Sequence, residues 1–266
     1  MPVAAQAPCP PAYVALAGRR ADAAGAVSLR YFRQALEVED KHDASPVTIA
    51  DRTAEATLRD LVAQACPDHG IVGEEFGSER ADAEYVWVFD PIDGTKAFIT
   101  GNPQFGNLIA LMRDNQPILG VINMPAQGDR WVGALGHPTT FRDARGTRPC
   151  RVRPCGAMRE ATFRTISPAL FKGREALHAA IRDRVRLALY GGDCFSYGQV
   201  AAGWLDLVIE AGLGVYDYLA LVPVVEGAGG LMCDWQGKPL GLGSDGRVVA
   251  AGDRRVQAEA LDLLAG

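Results

Sequence analysis

The run Tyr85-Val86-Trp87-Val88-Phe89, followed by Asp90-Pro91-Ile92-Asp93-Gly94-Thr95, constrains this chain most. It sets two carboxylates three residues apart at the end of an apolar, strand-like segment and closes them with a turn. Asp90 and Asp93 offer hard oxygen ligands suited to Mg²⁺, and the Ile92 carbonyl can add another. The backbone N–H groups of Gly94 and Thr95 lie where a phosphate could sit. Pro91 stiffens the turn, Gly94 permits close approach, and the Thr95 hydroxyl can orient a water. An Asp-x-x-Asp pair alone is equally a solvated turn in which an aspartate caps the next helix. The complete Asp-Pro-Ile-Asp-Gly-Thr string is much more specific.

Two further segments end in acids. Gly73-Glu74-Glu75 follows the strand-like Ile71-Val72, and two neighbouring strands that end in carboxylates can converge on one cation. A third ligand set makes a two-metal site physically reasonable. That third set is Tyr216-Asp217-Tyr218-Leu219-Ala220, where an acid enters an apolar helix running on to Glu226-Gly227-Ala228-Gly229-Gly230. Asp217 can be a helix N-cap, a ligand, or both. By themselves, Glu74 and Glu75 would read as an ordinary surface pair.

Any metal site here is built from oxygen. The six cysteines are scattered without Cys-x-x-Cys spacing and read as reduced thiols, and the four histidines show no His-x-x-x-His pair. The 266 residues are 48% hydrophobic and 22% charged, which fits a soluble globular protein with a sizeable core and one or two domains. A net charge of -5 argues against nucleic-acid or anionic-membrane binding, and Arg182, Arg184 and Arg186 read as a solvated helix face. Met1 to Pro11 lacks the basic and apolar regions of a leader, and no apolar run is long enough to span a bilayer. A cytoplasmic location is the resulting expectation.

Helical spacing predicts two helices, or one kinked near Gly25, between Ala12 and Glu39, and another helix over Ala50 to Ala65 with Asp51 near its start. Leu108 to Met112, Ile118 to Met124 and Trp131 to Ala134 read as an antiparallel meander, with polar Arg142 to Pro154 as a boundary. Beyond it, strands are predicted over Ala161 to Ile166, Val185 to Tyr190, Leu205 to Glu210 and Leu231 to Cys233. Helices are predicted over Leu170 to Ile181, Ser196 to Gly203 and Tyr218 to Gly227. This alternation suggests a largely parallel sheet covered on its faces.

Gly-Glu-Glu, Asp-Pro-Ile-Asp-Gly-Thr, and an aromatic-Asp pair before a helix ending Glu-x-Gly-Gly occur here in order. In this the chain resembles the inositol monophosphatase-like, Mg²⁺-dependent phosphomonoesterases over nearly its whole length. The resemblance implies an α/β fold, an αβαβα sandwich with a largely antiparallel N-terminal sheet and a mixed or parallel C-terminal sheet. It divides the chain into residues 1–145, with most metal ligands, and 146–266, with Asp217 and pocket residues. It also implies two or three Mg²⁺ per site held by Glu74, Asp90, the Ile92 carbonyl, Asp93 and Asp217. Asp51 corresponds to a further acid near an additional metal, and Lys41 to an upstream lysine. A small phosphorylated substrate and a homodimer follow by the same analogy.

Within that family, Asp93-Gly94-Thr95-Lys96-Ala97-Phe98, Tyr190-Gly191-Gly192-Asp193-Cys194 and Tyr216-Asp217-Tyr218-Leu219-Ala220 are most similar to the histidinol-phosphate phosphatases. The inositol-type enzymes usually read Asp-Gly-Thr-Thr-Asn-Phe and Trp-Asp. Inositol, sugar or nucleotide phosphates remain the alternative substrates, and an inactive binding homologue the alternative class. The substrate contacts so implied are Asp93, Gly94, Thr95, Lys96, Gly192, Asp193, Glu210 and Asp217. Asp193 and Glu210 would face the organic half, where carboxylates suit the ammonium and imidazole of histidinol. The reaction expected is direct attack of an activated water, with Glu74, Thr95 and Asp51 assisting. Neither a Cys-x5-Arg loop nor an Asp-x-Asp-x-Thr nucleophile motif is present.

Overall fold

Alternation at period two decides which way the central strands face. In the strand over Tyr85–Asp93, Val86 and Val88 enter one core while Trp87 and Phe89 enter another, and Leu108, Ala110 and Met112 are likewise separated from Ile109 and Leu111. A strand apolar on both faces needs a covering layer on each side. The computed structural model describes residues 7–40 and 46–265 and supplies those layers.

In chain order, α1 (Pro11–Tyr31) is followed by the short strands β1 (Glu39–Asp40) and β2 (Pro46–Val47) and by α2 (Ile49–Ala65). Next come β3 (Gly70–Gly73), β4 (Gly77–Glu79), β5 (Tyr85–Asp93), α3 (Thr95–Ile99), β6 (Gly106–Arg113), β7 (Gln116–Met124), β8 (Asp129–Ala134), β9 (His137–Asp143) and β10 (Gly146–Pro149). These form an eight-stranded sheet in the order β10-β9-β8-β7-β6-β5-β3-β4, antiparallel except where β3 runs beside β5. The second half contains β11 (Thr162–Thr165), α4 (Glu175–Arg184), β12 (Leu187–Tyr190), α5 (Asp193–Ala201), β13 (Leu207–Glu210), α6 (Val215–Tyr218), α7 (Leu221–Gly227), β14 (Leu231–Cys233), β15 (Val248–Ala251) and α8 (Arg254–Ala265). Its five strands are ordered β12-β11-β13-β15-β14.

Core composition gives the layers. Residues of α1 and α2 pack on one face of the large sheet, those of α5, α6 and α7 fill the space between the sheets, and those of α4 and α8 cover the far face of the small sheet. This is the αβαβα sandwich. No helix among the described residues is long and apolar enough to cross a membrane.

Several elements differ from the sequence-based expectation. α1 is one continuous helix that ends at Tyr31, and Gly25 does not divide it. A Cβ at Gly25 would come 2.9 Å from the Asn123 side chain, so this glycine serves close packing of helix on sheet. Arg142 to Pro154 is not simply a connection: it completes β9 and carries β10, whose pairing of Gly146 with Asp143 straddles the expected 145/146 division. The passage to the second sheet therefore comes after Pro149. That sheet is mixed rather than largely parallel, because β15 inserts antiparallel to both β13 and β14. The expected helix over Leu170 to Ile181 starts only at Glu175, and the one over Tyr218 to Gly227 is split into α6 and α7. All six cysteines are free thiols.

The middle layer is seated backbone to backbone. A Cβ on Gly120 of β7 would lie 1.9 Å from the Ala220 carbonyl oxygen, and one on Gly133 of β8 would lie 2.2 Å from that of Pro223. Neither obstacle is a flexible side-chain tip, so Gly120→Ala is expected to destabilise the protein by about 3 kcal/mol in urea unfolding. A loss below about 0.5 kcal/mol would show that this contact yields freely.

Candidate active site

Strand β5 changes register where the acids begin, with Asp90 opposite Leu108 and Asp93 opposite Gly106. Pro91 has no N–H for the ladder, so Pro91 and Ile92 bulge and the chain turns. The Asn107 side chain occupies the gap and donates to the Pro91 carbonyl at 2.6 Å. It belongs to a buried relay: the Asn123 amide donates to Asn107 Oδ1 at 2.8 Å, Arg130 Nε donates to Asn123 Oδ1 at 2.8 Å, and Arg130 reaches Asp22 at 2.7 Å. The bulge is thereby tied through the sheet to α1. Gly94 follows at φ 78°, and a Cβ there would press on Asp193 Oδ2 and the Gln104 carbonyl.

Carboxylate oxygens of Asp90, Asp93 and Asp217 all lie within 4.8 Å of one another. Asp90 is 2% exposed, and its Oδ1 is buried with no hydrogen-bond partner among the described residues. Burial, and then the charges of Glu74, Asp93 and Asp217, push its carboxyl well above the usual range. Asp93 is raised to about 7 by burial first and Asp217 second, although the Cys194 N–H at 2.7 Å from its Oδ2 opposes the rise. Asp217 Oδ2 accepts from the Gly214 N–H at 2.6 Å, so this acid caps α6 while it faces the other two. An orphaned buried oxygen within a knot of mutually repelling carboxylates fits a hard divalent cation such as Mg²⁺.

The remaining residues expected from the sequence surround this group. Glu74 lies outside the group of three, in the turn after β3, yet its charge acts on Asp90, Asp93 and Asp51. Asp51 is buried and accepts from both the Thr48 N–H at 2.8 Å and the Thr48 hydroxyl at 2.7 Å. It thus completes the capping box of α2, and burial followed by the Glu74 charge raises its carboxyl. The Thr95 hydroxyl donates to the Ile92 carbonyl at 3.1 Å, leaving its own lone pairs to accept. Lys96 is exposed, and its charge pulls Asp193 downward. Lys41 lies outside the described residues.

The second half of the chain closes the site. Gly192 precedes α5 at φ 102°, Asp193 follows at φ 40°, and the Cys194 N–H reaches across to Asp93. Burial and then the Asp93 charge raise Asp193 to about 7. Glu210 departs from the expected wall position. It is 1% exposed, with Oε1 taken by the Ile166 N–H at 3.1 Å and Oε2 by the Tyr197 hydroxyl at 2.8 Å. β13 is buried along its whole length, so its last side chain is interior, and burial raises it to about 8. The charges of Asp193 and Asp93 add to that rise.

Sequence reasoning missed the Asn107–Asn123–Arg130 relay, Tyr197, and Glu55, which lies one helical turn beyond Asp51. Only Glu55 had a readable signal, since Asp-x-x-x-Glu on a helix puts both acids on one face.

Comparison with known proteins places these features in context. The profile of the inositol monophosphatase family matches residues 13–265. The chloroplastic bifunctional phosphatase IMPL2 of Arabidopsis thaliana is 44% identical over 262 residues, 95% of this chain and 75% of that protein. A histidinol-phosphatase of Chlorobaculum parvum is 34% identical over 244 residues, covering 88% of this chain and 90% of its own. Among solved structures, an inositol monophosphatase from Zymomonas mobilis superposes with a TM-score of 0.87 at 46% identity, covering 96% of this chain and 98% of that one.

Asp93, Asp193 and Glu210 all take up protons more readily folded than unfolded. Their contribution to stability is therefore whole below the unfolded carboxyl pKa, about 4, and is lost as pH rises through about 7 to 8. With Mg²⁺ chelated, the melting temperature should fall from about pH 5 to about pH 8, and added Mg²⁺ should raise it more at the upper end. A flat chelated profile with equal Mg²⁺ shifts would contradict this.

Proposed function

The chain belongs to the inositol monophosphatase family of phosphatases, and within that chemistry we propose that it hydrolyses L-histidinol phosphate to L-histidinol and inorganic phosphate. The observation that carries the substrate reading is Asp193, which packs against Gly94 beside the acid turn. It is a carboxyl held near neutrality by burial, with Glu210 behind it. A cationic organic half, bearing an ammonium and an imidazole, would draw both groups into their charged forms and pair with Asp193 directly. The histidinol-phosphatase of Chlorobaculum parvum supports the same reading.

Asp90, Asp93, Asp217 and the Ile92 carbonyl, with Glu74 at the edge, are the groups that would hold two or three Mg²⁺. When bound, the cation supplies Lewis acidity at the phosphate and a lowered pKa for water. The chain's own groups do the positioning. The Gly94 and Thr95 N–H groups hold phosphate oxygens, and the Thr95 hydroxyl, already donating to Ile92, accepts from the attacking water and aims it. Glu74 takes the proton as the new P–O bond forms. The ester P–O bond breaks, and the alcohol leaves with a proton from solvent, without a phosphoenzyme. Inositol phosphate is the second reading, favoured by the identity to the Zymomonas mobilis enzyme.

Asp93→Asn removes a charge without adding bulk, so phosphate release should fall on the order of a hundredfold or more with the melting temperature retained. Near-normal turnover of this variant at saturating Mg²⁺ would overturn the ligand assignment. Across histidinol phosphate, inositol phosphate, fructose bisphosphate and adenosine bisphosphate, kcat/KM should be greatest for the first by about tenfold or more, a difference of about 1.4 kcal/mol in transition-state binding. Comparable values on all four would mean a broad phosphatase.

A further inference from the structure

Glu74, Glu75 and Phe76 form the turn between β3 and β4, and its outer side is open at Phe76, which is 51% exposed. One restraint on it comes from beneath. Glu55 on α2 is 0% exposed, and its Oε2 accepts from the Glu75 N–H at 2.7 Å while its Oε1 accepts from the Phe76 N–H at 3.2 Å. Arg59, one turn further along α2, donates from Nε to Glu55 Oε1 at 2.8 Å and from a terminal nitrogen to the Gly77 carbonyl. The carboxylate lies so close under the strand end that a Cβ on Gly73 would sit 1.9 Å from Glu55 Oε1. Glu74 is thus bracketed by a position where only glycine fits over this carboxylate and by two amides that bond to it.

We propose that Glu55 is a positioning residue that fixes the Gly73–Phe76 turn, so that the turn carrying Glu74 keeps its place at the edge of the Asp90, Asp93 and Asp217 group, and thereby sets the affinity of the site for Mg²⁺. This rests on the reading that Glu74 and the three aspartates hold that cation. Two N–H groups and a guanidinium converge on Glu55, and only an acceptor-only group satisfies all three donors. Glutamine would turn an N–H₂ toward one of them, leaving a buried donor without an acceptor and loosening the turn. Asp51 and Glu55, at i and i+4, then share one helix face: the first caps α2, and the second carries the Glu74 turn.

The test is the melting temperature of wild type and Glu55→Gln as a function of Mg²⁺ concentration without substrate. The half-saturating Mg²⁺ concentration should rise about tenfold or more in the variant, with the metal-free protein still folding cooperatively. A purely structural glutamate would lower the metal-free melting temperature and leave the half-saturating concentration unchanged. A value within about twofold of wild type therefore overturns the proposal however far stability falls. If Glu55→Gln does not fold, Glu55→Asp is measured instead; it keeps the charge but falls one methylene short of the amides, and the same criterion applies. A wild type with no response to Mg²⁺ would sink the metal reading itself, whereas a responsive wild type matched by the variant sinks only the role of Glu55.

Discussion

The organising constraint is the repulsion among carboxylates gathered at the end of a buried strand. Asp90 is almost fully sealed, has an oxygen without a hydrogen-bond partner among the described residues, and faces Asp93 and Asp217 at close range. A fold that relaxed this cost by local movement would lose the site. The acids are instead mounted on closely packed elements: β5 inside the large sheet, and α6 at the head of a layer whose helix α7 meets β7 and β8 backbone to backbone at glycines. The local rule that buried charges be paired is broken where a cation would supply the pairing.

Around that centre the polar groups serve as restraints. The Asn107–Asn123–Arg130 relay stabilises a bulge that would otherwise leave the Pro91 carbonyl buried without a donor. The Cys194 N–H of the second half reaches the Asp93 carboxylate of the first, so the sheets are joined through the site itself. Glu55 performs the same kind of task for the turn that bears Glu74. Each restraint is a hydrogen bond in a low-dielectric interior, where losing one partner costs more than the bond contributes when made.

Much of this was legible along the chain. The acids Glu74, Asp90, Asp93 and Asp217 stand at strand and helix ends predicted from periodicity, and the β6–β7–β8 meander was apparent from alternation and turn residues. β10 was not, because its four residues are exposed and polar, and an edge strand with no apolar face has no periodic signature. The alternation of strands and helices suggested a largely parallel second sheet, and only the family resemblance allowed a mixed one: β15 joins from the end of the chain, and strand order is a long-range property that neighbouring residues do not encode. Glu210 was read as a substrate contact from the family resemblance, and tertiary packing gives its carboxylate to the Tyr197 hydroxyl and the Ile166 N–H, a placement that strand periodicity does not encode.

The chain by itself determined the chemistry available to this protein. It provides oxygen ligands without paired cysteine or histidine sites, a rigid Pro-x-Asp-Gly turn for them, and apolar runs that demand covering layers. Those are consequences of residue type and short-range spacing. Only the tertiary structure decided which carboxylates meet within 4.8 Å, which become caps or interior struts, and which amides hold them in place. Residues such as Asp93 and Asp217 are brought together by sheet order and layer packing, and a carboxylate's pKa and role follow from its surroundings in space rather than its neighbours in the chain.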